Sequence, residues 1–197
     1  CHTCDIRNSE EIKKALENVS SLYALIANAG VGGENKYGDQ DRWQEVVDTN
    51  LTGTYQTIQE CLPLIKKDSA PFKKIIIISS ILARLGVPGY SAYCASKAGL
   101  LGLTRSLAAE HSGDGILVNA LCPGWVDTDM AQEGLQGFAD ALKVSKDEAY
   151  KEAMKPVPLG KMSKPEEVAQ LVAYLMSEEQ TSFTGQTLDI NNGALMP

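Results

Sequence analysis

The sequence is short of the residues that build metal centres, disulfide frameworks and basic faces. It has only two histidines, His2 and His111, far apart in the chain. Its five cysteines, Cys1, Cys4, Cys61, Cys94 and Cys122, are an odd set without framework spacing. Cys1 and Cys4 make a C-x-x-C, but no second Cys/His pair follows at zinc-like spacing, so the pair reads as the ordinary start of a strand. No metal is expected, and reduced thiols in a cytoplasmic setting are. Acidic residues outnumber basic ones, 25 to 18, for a net charge of −7. That balance leaves no basic face and excludes nucleic acid as a partner. Long apolar runs are also missing. The longest, Lys74–Leu82, contains two serines and is too short to span a membrane, and no secretory leader is visible. A dinucleotide remains open as a ligand, because backbone N–H groups and helix N-termini can hold its phosphates.

What is present alternates between strand and helix patterns, the mark of a parallel sheet covered on both faces. Asn8-Ser9-Glu10-Glu11 reads as a capping box opening a helix to about Asn18. Leu22–Ala27 is an apolar run of strand length. Asp39–Lys67 reads as mostly helical, with Trp43, Val46, Val47, Leu51 and Tyr55 on one stripe. Lys74–Ser79 carries four consecutive isoleucines, as a strand buried on both faces requires. Ser91–His111 is a long Ala- and Leu-rich helix, and Ile116–Leu121 another buried strand stopped by Pro123-Gly124. Asp129–Pro158 is polar, weakly helical and poor in core signals. Ser163-Lys164-Pro165-Glu166 reads as a second capping box, before a helix to about Ser177. Thr187–Ile190 is the last strand. No repeat or linker appears, so residues 1–197 read as one α/β domain.

Tyr93 and Lys97 stand four apart on a helix and share a face. A neighbouring ammonium favours the phenolate, which would lower a tyrosine pKa from about 10 toward a useful range. The pair alone is better read as a lysine snorkelling beside a half-buried tyrosine. Ser80 ends the preceding strand, at the sheet edge where open α/β folds bind ligands; it could instead satisfy a turn. Asn28-Ala29-Gly30 and the stretch from Asn119 to Gly124, with Val126 and Thr128 beyond, follow two other strands. Asn50 sits mid-helix, where asparagine competes with its own backbone, and reads as an irregularity or a cap.

Together, Asn28-Ala29-Gly30, Asn50-Leu51-Thr52-Gly53, Ile78-Ser79-Ser80, Tyr93-Cys94-Ala95-Ser96-Lys97 and Asn119 through Thr128 resemble the short-chain dehydrogenase/reductase family, in order and across the chain. The resemblance implies a Rossmann-like, doubly wound parallel sheet in three α/β/α layers. It implies an oxidoreductase acting on CH–OH groups with NADP or NAD, NADP being favoured. Tyr93 would be the general acid for a carbonyl oxygen, and Ser80 would hydrogen-bond that oxygen. Lys97 would lower the tyrosine pKa and hold the nicotinamide ribose, and Asn50 would fix a relay water. Asp5, with Ile6 beside it, Asn28, Ala29 and Gly30 would line the adenosine side of the cofactor. Pro123, Gly124, Val126 and Thr128 would line the nicotinamide side.

The family's opening strand and glycine-rich turn, T-G-x-x-x-G-x-G, do not occur in the sequence. The resemblance therefore implies a missing N-terminal strand–helix–strand unit of roughly 55–60 residues. Residues 129–158 would form the substrate lid, an amphipathic flap carrying Met130, Leu135, Phe138 and Leu142; a plain surface helix pair is the other reading. The Pro123–Met130 and Val157–Lys161 runs look most like 3-oxoacyl-thioester and polyketide ketoreductases. Polyol, hydroxybutyrate and hydroxysteroid dehydrogenases share much of this pattern, and a silent dinucleotide-binding or scaffold subunit is the reading from another class. The partners expected are a small carbonyl or alcohol substrate and further copies of the chain, a homotetramer built through the helices around 41–67 and 91–111.

Overall fold

The computed structural model describes residues 2–196, so Cys1 of the C-x-x-C lies outside the described residues. Cys4 is not in a strand, and the chain turns at Asp5, whose carbonyl accepts the Asn8 N–H at 2.9 Å. Four strands, β1 (Ala24–Ala27), β2 (Lys73–Ile78), β3 (Ile116–Pro123) and β4 (Thr187–Ile190), lie in that order, every neighbouring pair parallel. Ile75 sits between Leu25 and Val118, and Ile77 between Ala27 and Ala120.

Side chains alternate faces along a strand, and the isoleucine run divides accordingly. Ile75 and Ile77 pack with Ile58, Cys61 and Ile65 of α3 (Thr54–Lys67) and with Leu100, Leu107 and Ala108 of α4 (Ser91–His111). Ile76 faces the other way, onto Val172 and Leu175 of α7 (Pro165–Met176). Helices thus cover both faces, giving the three α/β/α layers. Parallel strands put their C-terminal ends on one edge, where β1, β2 and β3 pass into Asn28, Ser79 and Gly124.

The predicted helix over 39–67 is three pieces. α2 (Trp43–Val47) starts later, with its first N–H accepted by the Asp41 carboxylate at 2.8 Å. A π-helical turn, Asp48–Gly53, then separates it from α3. Hydroxyls occupy carbonyls there: Thr54 donates to Asn50 O and Thr57 to Gly53 O, both at 2.8 Å. The irregularity read from Asn50 is this turn, and such turns gather at functional sites.

Both expected capping boxes differ in detail. α1 (Ser9–Leu16) is capped by Asn8, but Glu11 turns to the Asp5 N–H and the Asn8 amide instead of the Asn8 N–H. α7 is capped one residue later than expected, at Lys164, whose N–H donates to Glu167 at 2.7 Å. Ser163 is instead bridged to Val126, and Pro165 takes the first helical position, where its missing N–H is harmless.

The polar stretch after 129 is two helices, α5 (Asp129–Leu142) and α6 (Lys146–Met154), with an apolar cluster of their own. Leu135, Ala139, Ala149, Met154, Val157 and Met162 are buried together. Their small and flexible side chains are scattered among charges, which hides the stripe from a reading of hydrophobic runs. Among the described residues, no helix is long and apolar enough to cross a membrane.

Candidate active site

β1 ends at Ala27, and Asn28 and Ala29 beyond it are exposed. Gly30 then passes under two side chains of the site. A Cβ at Gly30 would lie 3.0 Å from Asn50 Oδ1 and 3.5 Å from Lys97 Nζ, so a side chain there would press into the site. The π-turn brings Asn50, fully buried, to this place. Its Oδ1 accepts the Val31 N–H at 2.8 Å, and its Nδ2 donates to Val31 O at 2.9 Å and Ser96 Oγ at 3.2 Å. Both amide donors are taken, so in this structure the amide holds the Gly30–Val31 backbone. A relay water at Asn50 would meet the acceptor positions that remain on its oxygens.

β2 delivers two serines. Ser79 donates to Lys97 O at 2.9 Å and ties the strand end to α4. Ser80 accepts the Leu82 N–H at 3.1 Å, opening the 3₁₀ turn Ile81–Ala83. Its turn-satisfying role therefore holds alongside any catalytic one. α4 supplies Tyr93 and Lys97 one turn apart, and Ser96 donates to Tyr93 O at 2.8 Å. Lys97 Nζ donates to Ile78 O at 2.9 Å and lies 5.7 Å from the centre of the Tyr93 ring.

The expected lowering of the tyrosine pKa is not found in this arrangement. Burial pushes the Tyr93 phenol above its ordinary value, with the nearby Ser80 hydroxyl pulling weakly the other way. Burial also lowers the Lys97 ammonium to about 8. The physical reason is shared: the site is dry enough to disfavour charge on both groups, and the ammonium addresses a carbonyl rather than the phenol oxygen.

On the third strand, Pro123 pairs with Ile190, and the Gly124 N–H donates to Ile190 O at 3.0 Å. A Cβ on Gly124 would stand 3.0 Å from Asn191. Val126 bridges Ser163 through the neighbouring groups, Asp127 N–H to Ser163 O and Ser163 N–H to Trp125 O, each 2.9 Å. In a parallel bridge this turns the N–H and C=O of Val126 itself to the opposite side. Thr128 caps α5 by accepting the Ala131 N–H.

Asp5 and Ile6 are set apart from this group by local contacts. Arg7 grips both Asp5 oxygens, at 2.5 to 3.0 Å, and holds the carboxyl down at about 2. Ile6 packs against Gly53. Ser96 and Ser79 stand in motifs that carry the family resemblance but were given no role, and the Val31 backbone was not singled out. Serines inside an Ala-rich helix carry no pattern, although Ser96 stands next to the singled-out Lys97. Asn35, buried in an otherwise polar loop, was also missed.

Known proteins are similar to this chain in sequence and fold. Residues 1–194 match the family model described as Enoyl-(Acyl carrier protein) reductase. A 3-oxoacyl-[acyl-carrier-protein] reductase FabG from Rickettsia typhi is 38% identical over 98% of the chain and 76% of its own length. A putative ketoacyl reductase from Streptomyces coelicolor is 35% identical over 97% of the chain and 76% of its length. Among solved structures, a variant of actinorhodin polyketide ketoreductase with NADPH superposes with a TM-score of 0.90 at 34% identity, covering 98% of this chain and 76% of its own. An aldohexose dehydrogenase from Thermoplasma acidophilum gives 0.87 at 27% identity, covering 97% and 76%. With sheet, strand-edge serine, Tyr93–Lys97 pair and near-complete match in agreement, the chain belongs to the short-chain dehydrogenase/reductase family of oxidoreductases.

Proposed function

We propose that this protein reduces the ketone of a 3-oxoacyl thioester to the secondary alcohol, with Tyr93 as proton donor and NADPH as the preferred dinucleotide. The observation that carries the reading is the meeting of Ser80, Tyr93 and Lys97 beside the Gly30–Asn50 cradle at one sheet edge. The names of the relatives, 3-oxoacyl-[acyl-carrier-protein] reductase and ketoacyl reductase, support the substrate class. The ketoreductase solved with NADPH supports the cofactor.

The residues present fit a nicotinamide dinucleotide, because Gly30 leaves a gap that a Cβ would fill and Val126 turns its backbone groups away from the Ser163 bridge. The dinucleotide, when bound, supplies the hydride. Lys97 has two N–H donors beyond the one on Ile78 and would hold the nicotinamide ribose hydroxyls. Val126 would meet the carboxamide, and Thr128, at the start of α5, an anionic phosphate. Asp5, Ile6, Asn28, Ala29 and Gly30 would line the adenosine side, with Pro123 and Gly124 opposite. Ser80 would donate a hydrogen bond to the carbonyl oxygen, and Tyr93 would transfer its proton there as negative charge develops. A phenol held protonated by burial suits that direction, since the reverse reaction needs the phenolate as base.

We take residues 1–197 as one domain, with 129–158 as its lid. The lid carries an outward stripe, Met130, Phe138 and Leu142, suited to an acyl chain. Trp43 and Tyr55, 44% and 47% exposed, support assembly into a homotetramer through the helices that carry them. The free Cys4, Cys61, Cys94 and Cys122 support a reducing, cytoplasmic setting. The central test is Tyr93→Phe in the full-length protein with NADPH and a 3-oxoacyl thioester. Turnover should drop about 10²- to 10⁴-fold with the fold intact. Unchanged turnover would sink Tyr93 as the proton donor, and a wild type without turnover would favour a scaffold role.

A further inference from the structure

Asn35 is 6% exposed, whereas Gly33, Glu34, Lys36 and Tyr37 around it are exposed. A polar side chain buried inside a surface loop is unfavourable unless its hydrogen bonds are met, and here they join three segments. Its Oδ1 accepts the Arg42 N–H at 2.9 Å, its Nδ2 donates to Ser91 Oγ at 3.4 Å, and its own N–H donates to Gly89 O at 2.6 Å. Arg42 in turn donates from Nη1 to Gly32 O at 3.1 Å. The seam is tight on both sides. Gly89 has φ +78°, and a Cβ there would meet the Glu34 side chain at 2.9 Å.

The loop after β1 is therefore fastened at two places by two amides. Asn50 holds Val31, beside Lys97 and Gly30. Asn35 holds the far half to Gly89 and Ser91, and Ser91 opens the helix that presents Tyr93 two residues later. Between Ser80 and that helix lie Leu85 and Val87, both partly exposed.

We propose that Asn35 is a positioning residue for the substrate: it fixes the separation of the loops 31–42 and 85–90 that flank Tyr93, and so the width of the opening by which a ketone reaches the phenol. The proposal rests on the ketoreductase reading above. It divides the work of the two amides, Asn50 on the cofactor side and Asn35 on the substrate side.

The test compares wild type, Asn35→Ala and Asn35→Asp in the full-length protein, with 3-oxoacyl thioesters and ketones of graded bulk. Asn35→Ala should raise KM about tenfold. kcat should stay within about threefold and NADPH affinity by fluorescence should be unchanged, because Val31 remains on Asn50. Discrimination between small and bulky ketones should shrink. Asn35→Asp keeps the acceptor for Arg42, and the Ser91 hydroxyl can turn to donate, so it should return KM and discrimination toward wild type. A purely structural Asn35 would lower the melting temperature and leave KM and discrimination alone; that result overturns the proposal. Amide hydrogen exchange, read without turnover, tests the seam independently of the ketoreductase reading. Faster exchange at Asn35 and Arg42 in the alanine variant is expected, and unchanged protection there overturns the seam. If wild type turns over none of the ketones while that exchange responds, the ketoreductase reading has failed and the seam has not.

Discussion

The sheet and the α5–α6 pair are built from different side chains, and the difference sets a stiff core against a more yielding one. The sheet core is β-branched and fully enclosed: Ile75, Ile76, Ile77 and Val118 have no exposure. Such side chains have few rotamers and pack stiffly on a pleated surface. α5 and α6, the proposed lid, close on a small cluster made of Leu135, two alanines and the methionines Met154 and Met162, with Val157. Methionine fills irregular space with a flexible chain, and the outer side of α5 leaves Met130, Phe138 and Leu142 37–45% exposed. The side chains proposed to handle the proton ride on the stiff part, from the end of β2 and the start of α4. A group that must sit within a fraction of an ångström of a reacting atom belongs on rigid elements, whereas a cover over varied acyl chains belongs on a semi-independent unit.

The sharpest way to break this contrast is at Lys97, where stiffness and dryness act on a charge. Replacement by Met removes the ammonium and should lower turnover by about 10²- to 10³-fold. Stability should move the other way. The unfolded chain holds the lysine proton up to its ordinary 10.5, while burial in the folded state lowers the value to about 8. Between those values the unfolded state binds more protons, so stability rises with pH. Below about 8 both states are charged, and the folded protein carries a penalty on the order of 3 kcal/mol. The melting temperature of Lys97→Met should therefore lose the wild-type climb between pH 8 and 10.5. A slope equal to wild type would contradict this.

Core truncations give the next effect. Ile75→Ala leaves a cavity between two faces that cannot collapse and should lower unfolding stability by about 3–4 kcal/mol, read from denaturant midpoints. Leu135→Ala should behave differently, because its cluster is confined to the lid. Amide exchange should rise through 129–154 and KM should increase several-fold, with protection in 73–123 kept. Equal loss of protection in both regions would mean that the lid is part of the main cooperative unit. The smallest effect is expected at Asp5, exposed and already gripped by Arg7. Asp5→Asn should change NADPH affinity by no more than about threefold in a titration.

The proposed catalytic residues could be singled out because local rules mark their positions and the family resemblance joins them. Asn50 is misplaced in a helix, Ser80 stands at the strand end just past the isoleucine run, and Tyr93 and Lys97 repeat at a helical turn. The lid's apolar cluster was not legible, because six small or flexible residues spread over 28 positions make no run. Nor was the displaced cap at Lys164. Ser163-Lys164-Pro165-Glu166 fits the capping rule as written, and only the bridge to Val126 takes Ser163 away.

By itself, then, the sequence determined the parallel α/β/α architecture, since alternation of buried runs and amphipathic helices follows from local periodicity. Through the family resemblance it also singled out the four side chains proposed for the site. Tertiary structure decided the states and duties of those side chains. The enclosure of Tyr93 and Lys97 by neighbouring elements sets their pKa values in opposite senses. Only the meeting of the π-turn with the β1 loop commits Asn50 to Val31, and only the approach of two loops distant in sequence buries Asn35. Burial and long-range hydrogen bonds depend on which segments meet, and no local pattern in the chain records that.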